Sequence, residues 1–305
     1  MPVRSLVCRD AFSLAVGLLL LGRTAGAQEP DTARIVTTRL ADGVYVLMGG
    51  GGNIGLSTGK DGAFLIDDEY APLTDRIRAA VDSVGGGTAV RFVLNTHWHG
   101  DHTGGNENMG KAGALIVAHE NVRKRMSVEQ FMAAFNERIP ASPRAALPVI
   151  TFTDTITFHL NGDDIRAYHV TPAHTDGDAV IHFTKADVVH MGDTYFNGMY
   201  PFIDVSSGGS VDGMIAAVTR VLGTLGAATR VIPGHGPVSG RAELARYRDM
   251  LVSVRDRVRP MVTARKTLAQ VQAARPSAAY DATWGNGFLK PEQFVEIVYR
   301  SLGGK

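Results

Sequence analysis

The sequence predicts a mixed α/β (α+β) fold: a layered sandwich with sheets inside and helices outside. Three observations predict it. Short strand-like runs separated by glycine-rich turns are followed by a helical pattern, and this succession occurs twice. Glycine is abundant, at 35 of 305 residues, as a fold with many tight turns requires. The chain is 45% hydrophobic, which suffices for one large core.

The first residues read as a targeting segment. Arg4 and Arg9 supply positive charge, Ala11 to Leu21 is an apolar run, and Ala25-Gly26-Ala27 offers a small-residue cleavage site. The run is short for a membrane-spanning helix, which needs about 20 apolar residues. Residues 1–27 are therefore expected to be a signal peptide, and residues 28–305 the mature chain. The product is expected in the periplasm or secreted, with no stable membrane insertion after cleavage. The one cysteine, Cys8, lies in that segment. The mature chain then has no disulfide, no cysteine nucleophile and no thiolate ligand. Formal net charge is +1 with no basic stripe, so nothing calls for a nucleic-acid partner. A small-molecule substrate is the expected partner.

Strands are predicted at Val44 to Met48, Asn53 to Ser57 and Ala63 to Asp67, as an antiparallel meander with glycine-rich turns. Residues 49–53 read either as a mobile flap or as an ordinary hairpin turn. Thr74 to Val84 has helical spacing, with Ile77, Ala80, Val81 and Val84 apolar, and stops at Gly85. Strands are expected at Val90 to Leu94 and at Ala114 to Ala118. Residues 119–140 look helical, and Pro140, Pro143 and Pro148 then make 140–149 a linker or lid-like loop. A second strand-rich region follows: Ile156 to Leu160, Ile165 to Val170, Ala179 to Phe183 and Val188 to Met191. Ser210 to Leu225 is read as a helix, Thr229 to Ile232 as a strand, and the remainder from about Gly240 as mostly helical.

The chemistry concentrates in N-T-H-W-H-G-D-H-T-G-G, residues 95–105, where His97, His99, Asp101 and His102 can all bind metal. His97 and His99 leave the end of a strand two residues apart, so both side chains point to one face. Asp101 and His102 lie beyond Gly100, where the chain turns, and do not easily reach the same ion. Two ions are therefore expected, given partners elsewhere. Three candidates follow short apolar runs: His174 in T-P-A-H-T-D-G-D, Asp193 in H-M-G-D-T and His235 in I-P-G-H-G. Trp98, between two ligands, points to the opposite face and reads as packing. His119, His159, His169, His182 and His190 read as structural.

H-W-H-G-D-H resembles the H-x-H-x-D-H signature of the metallo-β-lactamase-fold superfamily of metallo-hydrolases. His174, Asp193 and His235 follow in that family's order, and Asp67, closing F-L-I-D, is similar to its first motif. The resemblance covers about residues 40–240 and implies a four-layer αββα sandwich with a dinuclear site along one edge. It implies that His97, His99 and His174 hold one divalent ion, that Asp101, His102 and His235 hold a second, and that Asp193 bridges them. Zinc is favoured by imidazole and carboxylate ligands, though iron or manganese also accepts them. Asp67 is implied to hydrogen-bond the metal-binding loop. Asp101 is implied to orient the attacking group as well as to bind metal. The activity implied is metal-dependent hydrolysis of a carbonyl bond by a metal-bound hydroxide, with a β-lactam or lactone preferred. A thioester hydrolase, a phosphodiesterase or sulfatase, and a non-hydrolytic metal-binding module are the alternatives.

Overall fold

The computed structural model describes residues 33–305. The expected signal peptide lies outside the described residues. Strands β1 (Val36–Ala41), β2 (Val44–Met48), β3 (Ile54–Ser57) and β4 (Ala63–Ile66) form the antiparallel meander. Helix α1 (Thr74–Gly85) then crosses over, and β5 (Val90–Asn95) returns parallel to β4. The short helices α2 (Gly100–Thr103) and α3 (Asn106–Lys111) lead to β6 (Leu115–His119) and α4 (Glu120–Met126). A hairpin of β7 (Gln130–Met132) and β8 (Glu137–Ile139) follows, and β9 (Ile150–Phe152) completes a seven-stranded sheet in the order β1-β2-β3-β4-β5-β6-β9.

The second sheet has five strands in sequence order: β10 (Thr155–Leu160), β11 (Asp163–His169), β12 (Ala179–Phe183), β13 (Val188–His190) and β14 (Arg230–Ile232). Helix α5 (Val211–Leu222) connects β13 to β14, which pair in parallel. The chain ends in α6 (Arg241–Thr263), α7 (Leu268–Ala273), α8 (Asp281–Trp284) and α9 (Pro291–Ser301). Among the described residues no helix is long and apolar enough to cross a membrane.

Alternation along the strands sorts the core into layers. In β4, Phe64 and Ile66 face the second sheet, where they meet Ile165, Ile181 and Val188. Its neighbours Ala63 and Leu65 face outward onto Ile77 and Val81 of α1. In β14, Ile232 joins the layer between the sheets, while Val231 packs outward with Met214, Val218, Met250 and Phe294 of α5, α6 and α9. The order helix, sheet, sheet, helix is the four-layer αββα sandwich. Because both faces of β3 and β4 are covered, all their residues are buried, as strands in the middle of such a stack must be.

The helix expected over 119–140 is corrected. Only Glu120–Met126 is helical. Ser127 ends it, donating from both its N–H and Oγ to the Arg123 carbonyl, and the Gln130 amide folds back onto the Arg125 carbonyl. The hairpin then turns through Asn136 at φ +52°, which asparagine tolerates. The 140–149 segment packs beside α3, where Asn106 Nδ2 donates to the Ala146 carbonyl and Ala146 is buried against Trp98.

Candidate metal centre

The ends of the parallel strands assemble the site. Asp67 follows β4 in the left-handed region, at φ +64°. Its Oδ1 accepts from the Thr96 N–H at 2.7 Å, and its Oδ2 accepts from Thr96 Oγ1 and from His102 Nδ1, both at 2.7 Å. One buried carboxylate thus fixes the loop that carries His97, His99, Asp101 and His102 to the end of the neighbouring strand.

Seven side chains converge in two groups. His97, His99, His174 and Asp193 form one, with ligand atoms all within 4.8 Å of one another; Asp101, His102 and His235 form the other by the same measure. Asp193 stands between them. Its Oδ2 is 3.5 Å from His174 Nε2 and 3.8 Å from His97 Nε2, whereas its Oδ1 is 3.0 Å from His102 Nε2 and 3.5 Å from His235 Nε2. Asp101 Oδ2 lies 3.2 Å from His235 Nε2 and 3.5 Å from His102 Nε2.

The outer nitrogens of the imidazoles decide what the inner ones can do. His99 Nε2–H donates to Asp204 Oδ2 at 3.1 Å, His174 Nδ1–H to the Phe202 carbonyl at 2.8 Å, and His102 Nδ1–H to Asp67. His97 Nδ1 is 3.0 Å from Thr96 Oγ1, whose proton goes to Asp67, so here too the ring donates. In His97, His99 and His174 the opposite nitrogens therefore turn lone pairs inward. His99 Nδ1 and His174 Nε2 approach to 2.8 Å, and His97 Nε2 is buried with no partner among the described residues. Facing lone pairs at that distance repel unless a cation lies with them, and a buried orphan acceptor is costly. The donor set of imidazoles and carboxylates fits a divalent transition ion.

Charge is distributed unequally. Burial holds the His97 imidazole well below its ordinary range, helped by the neighbouring His102. Burial likewise lowers His174 to about 4. Burial opposes protonation of His102 and His235 as well, but the carboxylates win there. Asp193, Asp101 and Asp67 hold His102 well above its usual value, and Asp193 with Asp101 lifts His235 to about 10. For Asp193 itself burial works upward, yet His102, His235, His97 and His174 keep it well below the carboxylate range.

Backbone packs tightly against His102 and Asp193. A Cβ on Gly52 would come within 2.1 Å of the His102 ring, and one on Gly234 within 2.0 Å of Asp193 Oδ1. Residues 49–53 join β2 to β3 as a hairpin loop that is tied to the site. Gly50 and Gly51 donate to Glu69 Oε2, Gly52 N–H to the Asp101 carbonyl, and Asn53 Nδ2 to the Pro233 and Gly236 carbonyls. His235 stacks on Phe196, with ring centroids 5.1 Å apart. Trp98 is buried with Ala118, Val122 and Met126, as packing, but its ring also meets the His99 ring edge-on with centroids 4.7 Å apart, so it does not point wholly away from the ligands.

Sequence reasoning missed the roles of Asp204 and Glu69. Asp204 accepts from Ser207 N–H and Oγ and from Ser206 Oγ while it orients His99, yet its D-V-S-S setting reads as a plain turn. Glu69 is buried at φ +54°, an unusual burial for glutamate that no spacing announces. Among the remaining histidines, His190 Nε2–H donates to the Asn53 carbonyl, and His119 stacks on His169 at 3.9 Å.

Residues 47–235 match the family model described as the metallo-beta-lactamase superfamily. A hydroxyacylglutathione hydrolase from Nitrosococcus oceani is 26% identical over 200 residues, 65% of this chain and 64% of that protein. A second hydroxyacylglutathione hydrolase, from Methylococcus capsulatus, is 29% identical over 209 residues, 68% of this chain and 71% of that protein. A type 2 metallo-beta-lactamase from Bacteroides fragilis is 24% identical over 181 residues, 59% of this chain and 63% of that protein. The chain thus spans less than two thirds of the first of these relatives. Among solved structures, a metallo-beta-lactamase from Pontibacter korlensis shares the fold at a TM-score of 0.58 and 20% identity, covering 72% of this chain and 99% of that one.

Proposed function

The chain belongs to the metallo-β-lactamase superfamily, and from that premise we propose that it is an exported, metal-dependent hydrolase of a strained or activated carbonyl bond, a β-lactam or a lactone. The observation that carries this reading is the placement of Asp193, with one carboxylate oxygen toward each histidine group. His97, His99 and His174 would hold one divalent ion, Asp101, His102 and His235 a second, and Asp193 both; zinc suits this set. Bound there, such ions supply Lewis-acid polarisation of a carbonyl and a lowered pKa for water.

The chain's own residues do the rest. Asp101 is the more open carboxylate, with 23% of its side chain exposed against 5% for Asp193. It can accept a hydrogen bond from the attacking water and aim it. Thr96, Asp204, Asp67 and the Phe202 carbonyl hold His97, His99, His102 and His174 in one tautomer each, so that the inner nitrogens of these four would be aimed at the ions. No serine or cysteine nucleophile is required.

Thioester hydrolysis is a second reading, favoured by the relatives described as hydroxyacylglutathione hydrolases. One experiment separates the two. The mature protein is loaded with zinc, its metal content is measured, and turnover is followed on a cephalosporin, a γ-lactone and a thioester. Two ions per chain with the lactam or lactone fastest supports the proposal. A ceiling of one ion, or no hydrolysis of any of the three, rejects it. Export is tested by the N-terminal mass of protein recovered from the native cell envelope, where cleavage after Ala27 is expected.

A further inference from the structure

Every ligand imidazole but one is steered through its outer nitrogen. Thr96, Asp204, Asp67 and the Phe202 carbonyl hold those of His97, His99, His102 and His174. The Nδ1 of His235 has no hydrogen-bond partner among the described residues, while its Nε2 faces Asp101 and Asp193. Its ring is set by the stack on Phe196, with the two planes 19° apart, and by the backbone of the 233–236 loop that carries it. The position of this ligand therefore depends on what holds that loop.

Asn53, just before β3 of the other sheet, holds it. Its side-chain amide gives both protons to the loop: Nδ2 donates to the Pro233 carbonyl at 2.9 Å and to the Gly236 carbonyl at 2.8 Å, one on each side of His235. Its backbone N–H donates to the Gly234 carbonyl at 2.7 Å. Three carbonyls of one loop thus converge on a single buried residue. The pair of side-chain bonds needs two N–H donors on a short stem, which asparagine has; a carboxylate of the same size only accepts and would repel both carbonyls.

His190 of β13 braces Asn53 from behind. The Gly192 N–H donates to His190 Nδ1 at 3.1 Å, so the ring carries its proton on Nε2, which donates to the Asn53 carbonyl at 2.9 Å. The ring is fully buried and reaches from one sheet to the other. Gly55 of β3 makes room for it, since a Cβ there would lie 3.1 Å from His190 Cδ2. A buried imidazole costs free energy unless both nitrogens are bonded, and here both are. We propose that Asn53, braced by His190, is the positioning residue for His235, and that this clasp sets the affinity of the Asp101, His102 and His235 group for its ion. The proposal rests on the two-ion reading, and its test keeps the two apart.

Zinc affinities are measured by chelator competition in the wild type, Asn53→Ala, His190→Leu and His190→Gln, with cobalt(II) absorption as the spectroscopic signature. Leucine and glutamine both fill the space at 190, but only glutamine carries an amide that reaches the Asn53 carbonyl. In Asn53→Ala the second zinc is expected to bind about 10- to 100-fold more weakly, with the first unchanged and the cobalt bands of the second equivalent shifted. His190→Leu should show the same loss and His190→Gln should recover it; this pair decides the matter should Asn53→Ala not fold. A second zinc bound as tightly in Asn53→Ala as in the wild type, or a leucine variant equal to the glutamine one, overturns the proposal and leaves the two-ion reading intact. If the wild type takes only one zinc, the two-ion reading fails, and amide exchange in the metal-free chain reads the clasp. The Gly234 amide, bonded to the Gly192 and Tyr195 carbonyls, should then lose protection in Asn53→Ala, while the Thr96 amide, bonded to Asp67, keeps it. Equal protection at Gly234 in the two proteins overturns the proposal.

Discussion

The two ligand groups are built from the same side-chain types but differ in access and charge. His97, His99 and His174 are buried, and burial drives His97 and His174 toward the neutral form. The inner nitrogens of His97 and His174 are ready for a cation at neutral pH. In the other group, His235 and Asp101 keep 23% of their side chains exposed, and carboxylates hold His102 and His235 protonated. Here protons already supply the positive charge. The difference teaches that burial alone favours neutral imidazole, and that two or three carboxylates at hydrogen-bond distance reverse it.

The largest expected effect removes what joins the two groups. Asp193→Ala deletes an oxygen from each side, so turnover on the best substrate falls by about 10³-fold, and metal content drops by about one ion per chain. Full turnover with both ions retained would make Asp193 a packing residue.

Asp204→Asn sharpens the contrast by acting on one side. It weakens the acceptor that orients His99. Affinity at the buried group should fall about 10- to 100-fold, with the open group unchanged, as read by chelator competition. Equal losses at both groups would mean that the centre responds as one unit.

Proton release tests the charge difference directly. With His235 at about 10 and His102 above its ordinary value, both carry protons at pH 7 in the metal-free chain. A cation entering the open group displaces them, so affinity there rises with pH, about tenfold per unit for each proton displaced, until pH passes about 10. His174, at about 4, and the lowered His97 have no proton to give between about pH 6 and 9. A pH-stat titration with zinc should show one equivalent bound silently and one with acid released. Acid released by both would break the comparison.

The smallest effect is steric. Gly52→Ala places a methyl against the His102 ring. We expect a loss of about 1–3 kcal/mol in stability, measured by thermal denaturation, with weaker binding confined to the open group.

Legibility follows how local each signal is. The strands and α1 were readable because short apolar runs between glycine-rich turns, and helical spacing, are written within a few residues, as in Ala63–Ile66 and Ile77–Val81. The ligands were readable because His97, His99 and His102 crowd one loop and because His174, Asp193 and His235 each follow an apolar run. The β7–β8 hairpin was not readable, since Gln130–Ile139 mixes charge and apolar residues in a way a helix also allows; side-chain bonds from Ser127 and Gln130 decide it. Asp204 was not readable either, because its bond to His99 spans 105 positions and leaves no periodic trace. Glu69 was hidden as well, since its partners Gly50 and Gly51 lie 19 and 18 positions away on another loop.

The centre draws on both sheets. His97, His99, Asp101 and His102 come from the loop after β5, while His174, Asp193 and His235 come from the ends of β11, β13 and β14. Ions held there would act as rivets between the halves of the sandwich. Each would close loops of many tens of residues, and loop closure is the slow part of assembling non-local topologies. The seven ligand atoms are supplied from both sheets, so a complete ligand set requires the sheets to be docked. A chain made without metal would keep its layers but lose that seam first, and refolding with zinc present would shift the balance toward the docked state.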